Sequence, residues 1–229
     1  MTRDSTSLLA FDIASKTWQE LSSPPTPAGH LKSPSLAIVK NRVYAVVAGQ
    51  TYFLDLLKTT FNDKAGQGDI ALAPTGPWST MHGEGNAEIL GPGERTGAAI
   101  IPVTTGQGRN YMLLLGGESP SKSTSSGTVH GDIWSLQLRP EGMTAASFKD
   151  AARMAISKPT GEEQWAEVKY YNTEGVIIQE GQPGRGIGDR IGFAAARGSE
   201  VDGCSVLVWG GRTTDGNVLG DGLMITVDR

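Results

Sequence analysis

Two arginines in this 229-residue chain each stand directly behind an acid, in Glu94-Arg95 and Asp189-Arg190. A guanidinium is a planar fork of donors matched to carboxylate and phosphate oxygens. Two such forks at a common opening would bind an anion. The alternative is that each arginine hydrogen-bonds between neighbouring structural units. Because the acid–arginine pair recurs with a longer repeat, that structural role is the favoured reading. The three histidines, His30, His82 and His130, all fall in stretches with loop composition. Glu118, His130 and Asp132 bracket one of these loops and have the right atoms for a metal, but their spacing matches no ligand motif, and a solvated loop is the better reading. Gly184-Arg185-Gly186-Ile187-Gly188 hints at a phosphate-cradling loop. Neither register completes Gly-x-Gly-x-x-Gly, and no strand-then-helix context surrounds it, so it reads as a linker. No nucleophile motif supports Ser-His-Asp chemistry. No catalytic residue, cofactor site or metal site is assigned.

The elements that must position these residues are repeated. Arg95-Thr96-Gly97-Ala98-Ala99-Ile100-Ile101 leads to Met112-Leu113-Leu114-Leu115-Gly116-Gly117 and then Gly131-Asp132-Ile133-Trp134. A second copy runs from Arg190-Ile191-Gly192-Phe193-Ala194-Ala195-Ala196 through Val206-Leu207-Val208-Trp209-Gly210-Gly211 to Gly220-Asp221-Gly222-Leu223. The step from arginine to the first glycine is nearly the same in both copies, and recurrence at fixed spacing outranks any single motif. With 31 glycines and short apolar runs, the chain reads as sheet with many turns. A formal net charge of −4 argues against nucleic acid as the main partner. The single cysteine, Cys204, allows no intrachain disulfide. No apolar run approaches membrane-spanning length and no signal peptide opens the chain, so no membrane partner is expected, and the cytoplasm is the default location.

Taken in order, Ser7 to Ile13 and Thr17 to Leu21 read as a hairpin anchored by Trp18. A related unit recurs as Tyr52 to Asp55 with Phe61. Residues 33–65 read as four consecutive strands, with Ala48-Gly49 where the later copies have Gly-Gly. Residues 66–93 have loop composition, with Trp78 folding back over apolar surface. Residues 118–130 form a Ser/Thr/Gly loop. Thr144 to Ile156 reads as a helix with Thr144 as N-cap and Phe148, Ala151, Ala152 and Ala155 on one apolar face. Trp165 starts the last strand of that unit, and a loop with Ile177-Ile178 leads to the final copy.

Each copy implies a four-stranded antiparallel meander that must stack on its neighbours. Small residues suit crowded first strands, Gly-Gly suits sharp turns, and the aromatics Trp18, Phe61, Trp134 and Trp165 suit gaps between twisted sheets. Arginine, an apolar strand ending in Gly-Gly, a Gly-Asp-apolar strand and then Trp resemble the kelch repeat. The resemblance implies an all-β, kelch-type β-propeller of about three blade-equivalents, in an open ring with one short inserted helix. The expected units are a half blade at 1–21, a blade at 33–65, a blade with insertions at 95–169 and a three-stranded last blade at 190–228. The chain then reads as the C-terminal half of a longer propeller or as a shortened relative.

The fold is also similar to the propeller of galactose oxidase, but no Tyr/His cluster surrounds Cys204 to suggest its copper site. The Glu-x3-Asp-x3-His run proposed to bind iron in kelch-type nitrile-specifier proteins is absent too. The resemblance therefore implies a protein-interaction or scaffold module that binds a protein through its blade loops. Trp78, Glu118, His130, Arg212 and Asp215 are the candidate contact residues. A propeller enzyme of the isomerase or specifier/lyase kind and a non-functional remnant of a longer protein are the rivals. Open ends imply a chain that is either unstable alone or self-associates, with Leu9 and Phe11 bare at one end and Leu207, Trp209, Leu223 and Ile225 bare at the other.

Overall fold

The computed structural model describes residues 8–13, 16–25, 34–60, 70–82, 91–105, 108–120, 127–140, 142, 145–156, 158, 160–171, 174–179, 185–198 and 204–227. A hairpin comes first, β1 (Leu8–Asp12) and β2 (Thr17–Leu21), with Phe11 opposite Trp18 and their ring centroids 4.9 Å apart. The first sheet follows, with β3 (Ser35–Val39), β4 (Arg42–Val47) and the long β5 (Gln50–Thr60) in sequence order. The far edge of β5 is shared. Its inner end pairs with β7 (Ser79–Thr80) and its outer end with β6 (Ile70–Pro74).

The middle sheet starts with β8 (Ala99–Thr105) and β9 (Arg109–Leu115). A short ribbon, β10 (Glu118–Ser119) with β11 (Thr128–Val129), branches off before β12 (Ile133–Gln137). The helix α1 (Ala145–Ala155) then intervenes before β13 (Trp165–Glu167) completes the order β13-β12-β9-β8. The last sheet is β14 (Ala194–Arg197), β15 (Cys204–Trp209) and β16 (Gly222–Val227). Among the described residues all strand pairing is antiparallel, and no sheet closes on itself into a ring. No helix among the described residues is long and apolar enough to cross a membrane.

The sheets pack face to face. Tyr44, Val46 and Ala37 of the first sheet meet Ile100, Met112, Leu114 and Leu136 of the middle one. Trp165 belongs to this layer and donates its indole N–H to Thr51 Oγ1 of the first sheet at 3.0 Å. From the opposite face of the middle sheet, Val103, Leu113, Leu115 and Ile133 meet Cys204, Val206 and Val208 of the last sheet. This double burial explains why Tyr111 to Leu115 of β9 is an unbroken apolar run rather than an alternating one. A smaller cluster, Val43, Leu54 and Leu56 with Trp78 packed against them, lies on the face of the first sheet turned away from the middle sheet. The Trp78 indole donates to Ser22 O at 2.7 Å and so ties the hairpin's exit to that face. This is the plug position expected for Trp78.

Several expectations need correction. Residues 66–93, expected as loop, supply β6 and β7. Phe61, expected on the outer strand of that unit, lies outside the described residues. Ala48-Gly49 does not play the part of the later Gly-Gly pairs. It is a two-residue hairpin turn between Val47 and Gln50, with both φ positive at 49° and 81°. These are the signs that fit the right-handed strand twist. The Ser/Thr/Gly loop is pinched at its base by the β10–β11 ribbon. The stretch expected as a linker is anchored where it is described, at 185–188: Ile187 is fully buried against the last core layer, and its N–H donates to Gly131 O at 2.7 Å.

The helix lies where expected but faces the other way. Phe148, Ala151, Ala152 and Ala155 are exposed, whereas Asp150 is buried and paired with Arg109 at 2.6 Å. Two residues along a helix is a rotation of about 200°. Docking through Asp150 therefore turns the Phe148 stripe to solvent. Thr144, the expected cap, lies outside the described residues.

Candidate functional site

The repeat's own polar residues fasten each unit together. Arg95 donates to Gly116 O at 3.2 Å, to Pro92 O at 2.9 Å, and through both terminal nitrogens to the carboxylate of Asp132, one bond being 2.8 Å. Arg190 repeats the pattern with Gly210 O at 3.2 Å and Asp221 at 3.2 and 3.3 Å. The arginine fork thus clasps the Gly-Gly turn and the Gly-Asp approach of its own unit. The expectation of bonding between neighbouring units is corrected accordingly. The recurrence that argued for a structural role is explained, since all three motif elements meet at one guanidinium.

Burial pushes the Asp132 carboxyl up, but Arg95 and the Trp134 indole N–H, at 2.8 Å, outweigh it and hold it below the usual carboxylate range. Arg190 lowers Asp221 in the same way. The copies differ at one atom. Arg95 Nε is satisfied by Pro92, while Arg190 Nε is buried without a hydrogen-bond partner. Ile187 stands where the earlier copy has Pro92.

The residues expected at a partner-binding surface do not form one site. Glu118 and His130 come together at the base of the ribbon. Glu118 accepts from the Gly127 N–H at 3.0 Å, and His130 Nε2 lies 2.8 Å from Ser119 Oγ. Burial, and then the charge of Arg95, lower the His130 pKa. Arg212 and Asp215 lie in the corresponding loop of the last unit, where Arg212 bridges Ile191 and Val218 through its backbone. Trp78 is on the first sheet, committed to the Val43–Leu54–Leu56 cluster. Among the described residues no group of three His, Cys, Asp or Glu side chains is placed to hold a metal ion.

What stands out instead is the outer face of the last sheet. Aligning β15 on β9 by their glycine pairs puts Val206 and Val208 in the places of Met112 and Leu114, facing the preceding sheet. Leu207 and Trp209 then correspond to Leu113 and Leu115. In the middle sheet those two are 3% and 0% exposed, because the last sheet covers them. Their counterparts are 52% and 64% exposed. β15 thus has the composition of a strand buried on both faces, yet it is covered on one.

Cross-strand register extends the bare face to Ala194 and Gly222, both opposite Trp209, and to Ala196 and Met224, both opposite Leu207. Trp209 lies across Gly222, where an added Cβ would come within 2.5 Å of the ring. Leu223 and Ile225, expected on this bare face, pair with Val208 and Val206 and turn inward to the core. Leu9, Phe11 and Trp18 form a second bare patch on the hairpin.

Beside β16 runs a groove of about 690 Å³, floored by Val103, Leu113, Ile133 and Ile225 and rimmed by Glu167 and Tyr170. Burial raises the Tyr170 pKa to about 12, so its hydroxyl stays protonated while accepting from the Ile133 N–H at 2.7 Å. Last-sheet exposure was legible in sequence only as the alternation of Leu207 and Trp209 with the buried valines. The groove left no sequence signal, because its walls come from strands about a hundred residues apart. No family model matches the chain, and no curated protein matches it.

Proposed function

We propose that the chain is a protein-interaction module built from kelch-like repeats, and that its working surface is the bare face of the last sheet. The observation that carries this reading is the contrast between buried Leu113 and Leu115 and their exposed counterparts Leu207 and Trp209. A contiguous apolar face on a folded sheet marks a surface meant to be covered. Aromatic side chains in particular concentrate binding energy at interfaces. The open-ring propeller of about three blade-equivalents is part of this proposal. It is supported by the two arginine clasps, by the face-to-face packing of successive sheets, and by the first strands β3, β8 and β14 lying side by side.

The loops remain a second contact region in this reading, with Glu118, His130, Arg212 and Asp215 at its rim. The test is affinity chromatography with the immobilised full chain, its Trp209→Ser variant, and the loop variant Arg212→Ala/Asp215→Ala. Proteins retained by the wild type and the loop variant, but lost on Trp209→Ser, are expected. Retention unaffected by Trp209→Ser would move the working surface away from this face.

A further inference from the structure

We infer that the partner covering the last sheet is a second copy of this chain, whose β1–β2 hairpin lays Leu9, Phe11 and Trp18 over Leu207, Trp209 and Met224. The inference rests on the interaction-surface reading above and names its occupant.

Two internal joints show what kind of surface the last sheet lacks. In each, the outward face of one sheet meets the backward face of the next. At the joint between the first and middle sheets, the backward face includes Trp165, on the fourth strand of its sheet. That strand reads Gln164-Trp165-Ala166-Glu167-Val168. The same order of residue types, x-Trp-x-Glu followed by Leu or Val, occurs in β2 as Thr17-Trp18-Gln19-Glu20-Leu21. β2 pairs with β1 as β13 pairs with β12. By this correspondence Trp18 occupies the place of Trp165 on a backward face. Trp165 is 7% exposed because a sheet lies behind it, and Trp18 is 67% exposed because among the described residues none does. On the other side of the hairpin, Leu21 is buried, and the Ser22 carbonyl holds Trp78 over the first sheet.

Among the described residues the stack therefore presents one bare outward face and one bare backward face. These are the two halves of the joint it makes twice internally. A symmetric pairing of like with like would reproduce neither internal joint. The contact is head-to-tail, and it closes into a ring of two or more chains or runs on as a filament.

Sedimentation equilibrium on the full chain over a concentration series, with Trp18→Ser and Trp209→Ser, tests this. Both side chains are exposed, so both variants keep the monomer fold, and circular dichroism verifies it. The wild type is expected to associate as concentration rises. Each variant alone is expected to associate at least tenfold more weakly. An equimolar mixture of the two is expected to recover one joint, because each supplies the face the other lacks, and so to stop at a dimer. A wild type that stays monomeric would overturn the inference. Association by Trp18→Ser equal to wild type would overturn it in favour of a last sheet that pairs with itself. If the chain is monomeric while Trp209→Ser still abolishes partner retention, the interaction surface stands and only its occupant is wrong.

Discussion

At the scale of single residues, Gly116 and Gly210 do the same work in different surroundings. Both have positive φ, 56° and 69°, where a β-branched side chain is strained. At Gly116 a Cβ would lie 3.0 Å from Ile187 Cδ1, in the stretch leading to the last unit, and 3.1 Å from Arg190 O, at that unit's start. At Gly210 the nearest atom is Leu219 O at 3.4 Å. Gly116→Val should therefore cost about 2–4 kcal/mol and Gly210→Val about 1–2 kcal/mol, from strain plus overpacking against strain alone. Denaturant midpoints check the order, and equal midpoints would mean the Ile187 contact yields freely.

The Asp132 clasp predicts a pH dependence. Its folded pKa is depressed, so as pH falls the unfolded chain takes up the proton first. The contribution is complete above the ordinary carboxylate value of about 4 and is lost below it, toward the folded value. His130, also depressed, adds a loss that begins below about 6.5. In Asp132→Asn the acid limb of stability against pH should flatten, while the limb near the histidine value persists.

At the scale of elements, α1 shows what periodicity can and cannot say. Its extent was legible from Phe148, Ala151, Ala152 and Ala155 at helical spacing. The side it docks by was not, because that is decided by Arg109, 41 residues before Asp150 on the chain and on a strand of the middle sheet. A buried carboxylate bonded to a guanidinium outweighs the burial of one Phe and three Ala, since an unpaired buried charge is the more costly alternative. Asp150→Ala should destabilise by about 3 kcal/mol and release the helix to limited proteolysis, because it strands Arg109. Phe148→Ser should change stability by less than about 0.5 kcal/mol. A large effect of Phe148→Ser would place that ring in a contact. The orientation of Leu223 and Ile225 was illegible for a similar reason. Each strand's alternation is plain, but which parity faces inward depends on its pairing with Val206 and Val208. β6 was missed because Ala, Pro and Gly dominate residues 66–93, and the strand exists by pairing with the outer end of β5 rather than by propensity.

At the scale of the whole molecule, stability should be graded along the stack. The middle sheet has neighbours on both faces, the first and last sheets have a full sheet on one, and among the described residues the hairpin is a two-stranded sheet of its own. In stacked repeats, stability is close to a sum of unit and nearest-neighbour terms. Amide hydrogen exchange should therefore be slowest in β9 and β12, intermediate in β4 and β15, and fastest in β1 and β2. Uniform protection across all four units would mean that the layers unfold as one.

The two ways of joining a second strand to a third also set where the molecule can grow. Between β4 and β5 the connection is two residues, Ala48 and Gly49. One residue added there would shift the pairing and throw every side chain of β5 to the opposite face. Past Gly116-Gly117 and Gly210-Gly211 the chain instead leaves the sheet and returns at Asp132 and Asp221. Arg95 and Arg190 hold the departure and the return at one point. Doubling the length of such an excursion costs only about 0.6 kcal/mol in closure entropy. Sequence drift and insertion can therefore accumulate along the rim of the middle and last sheets, while the first sheet keeps the length it has.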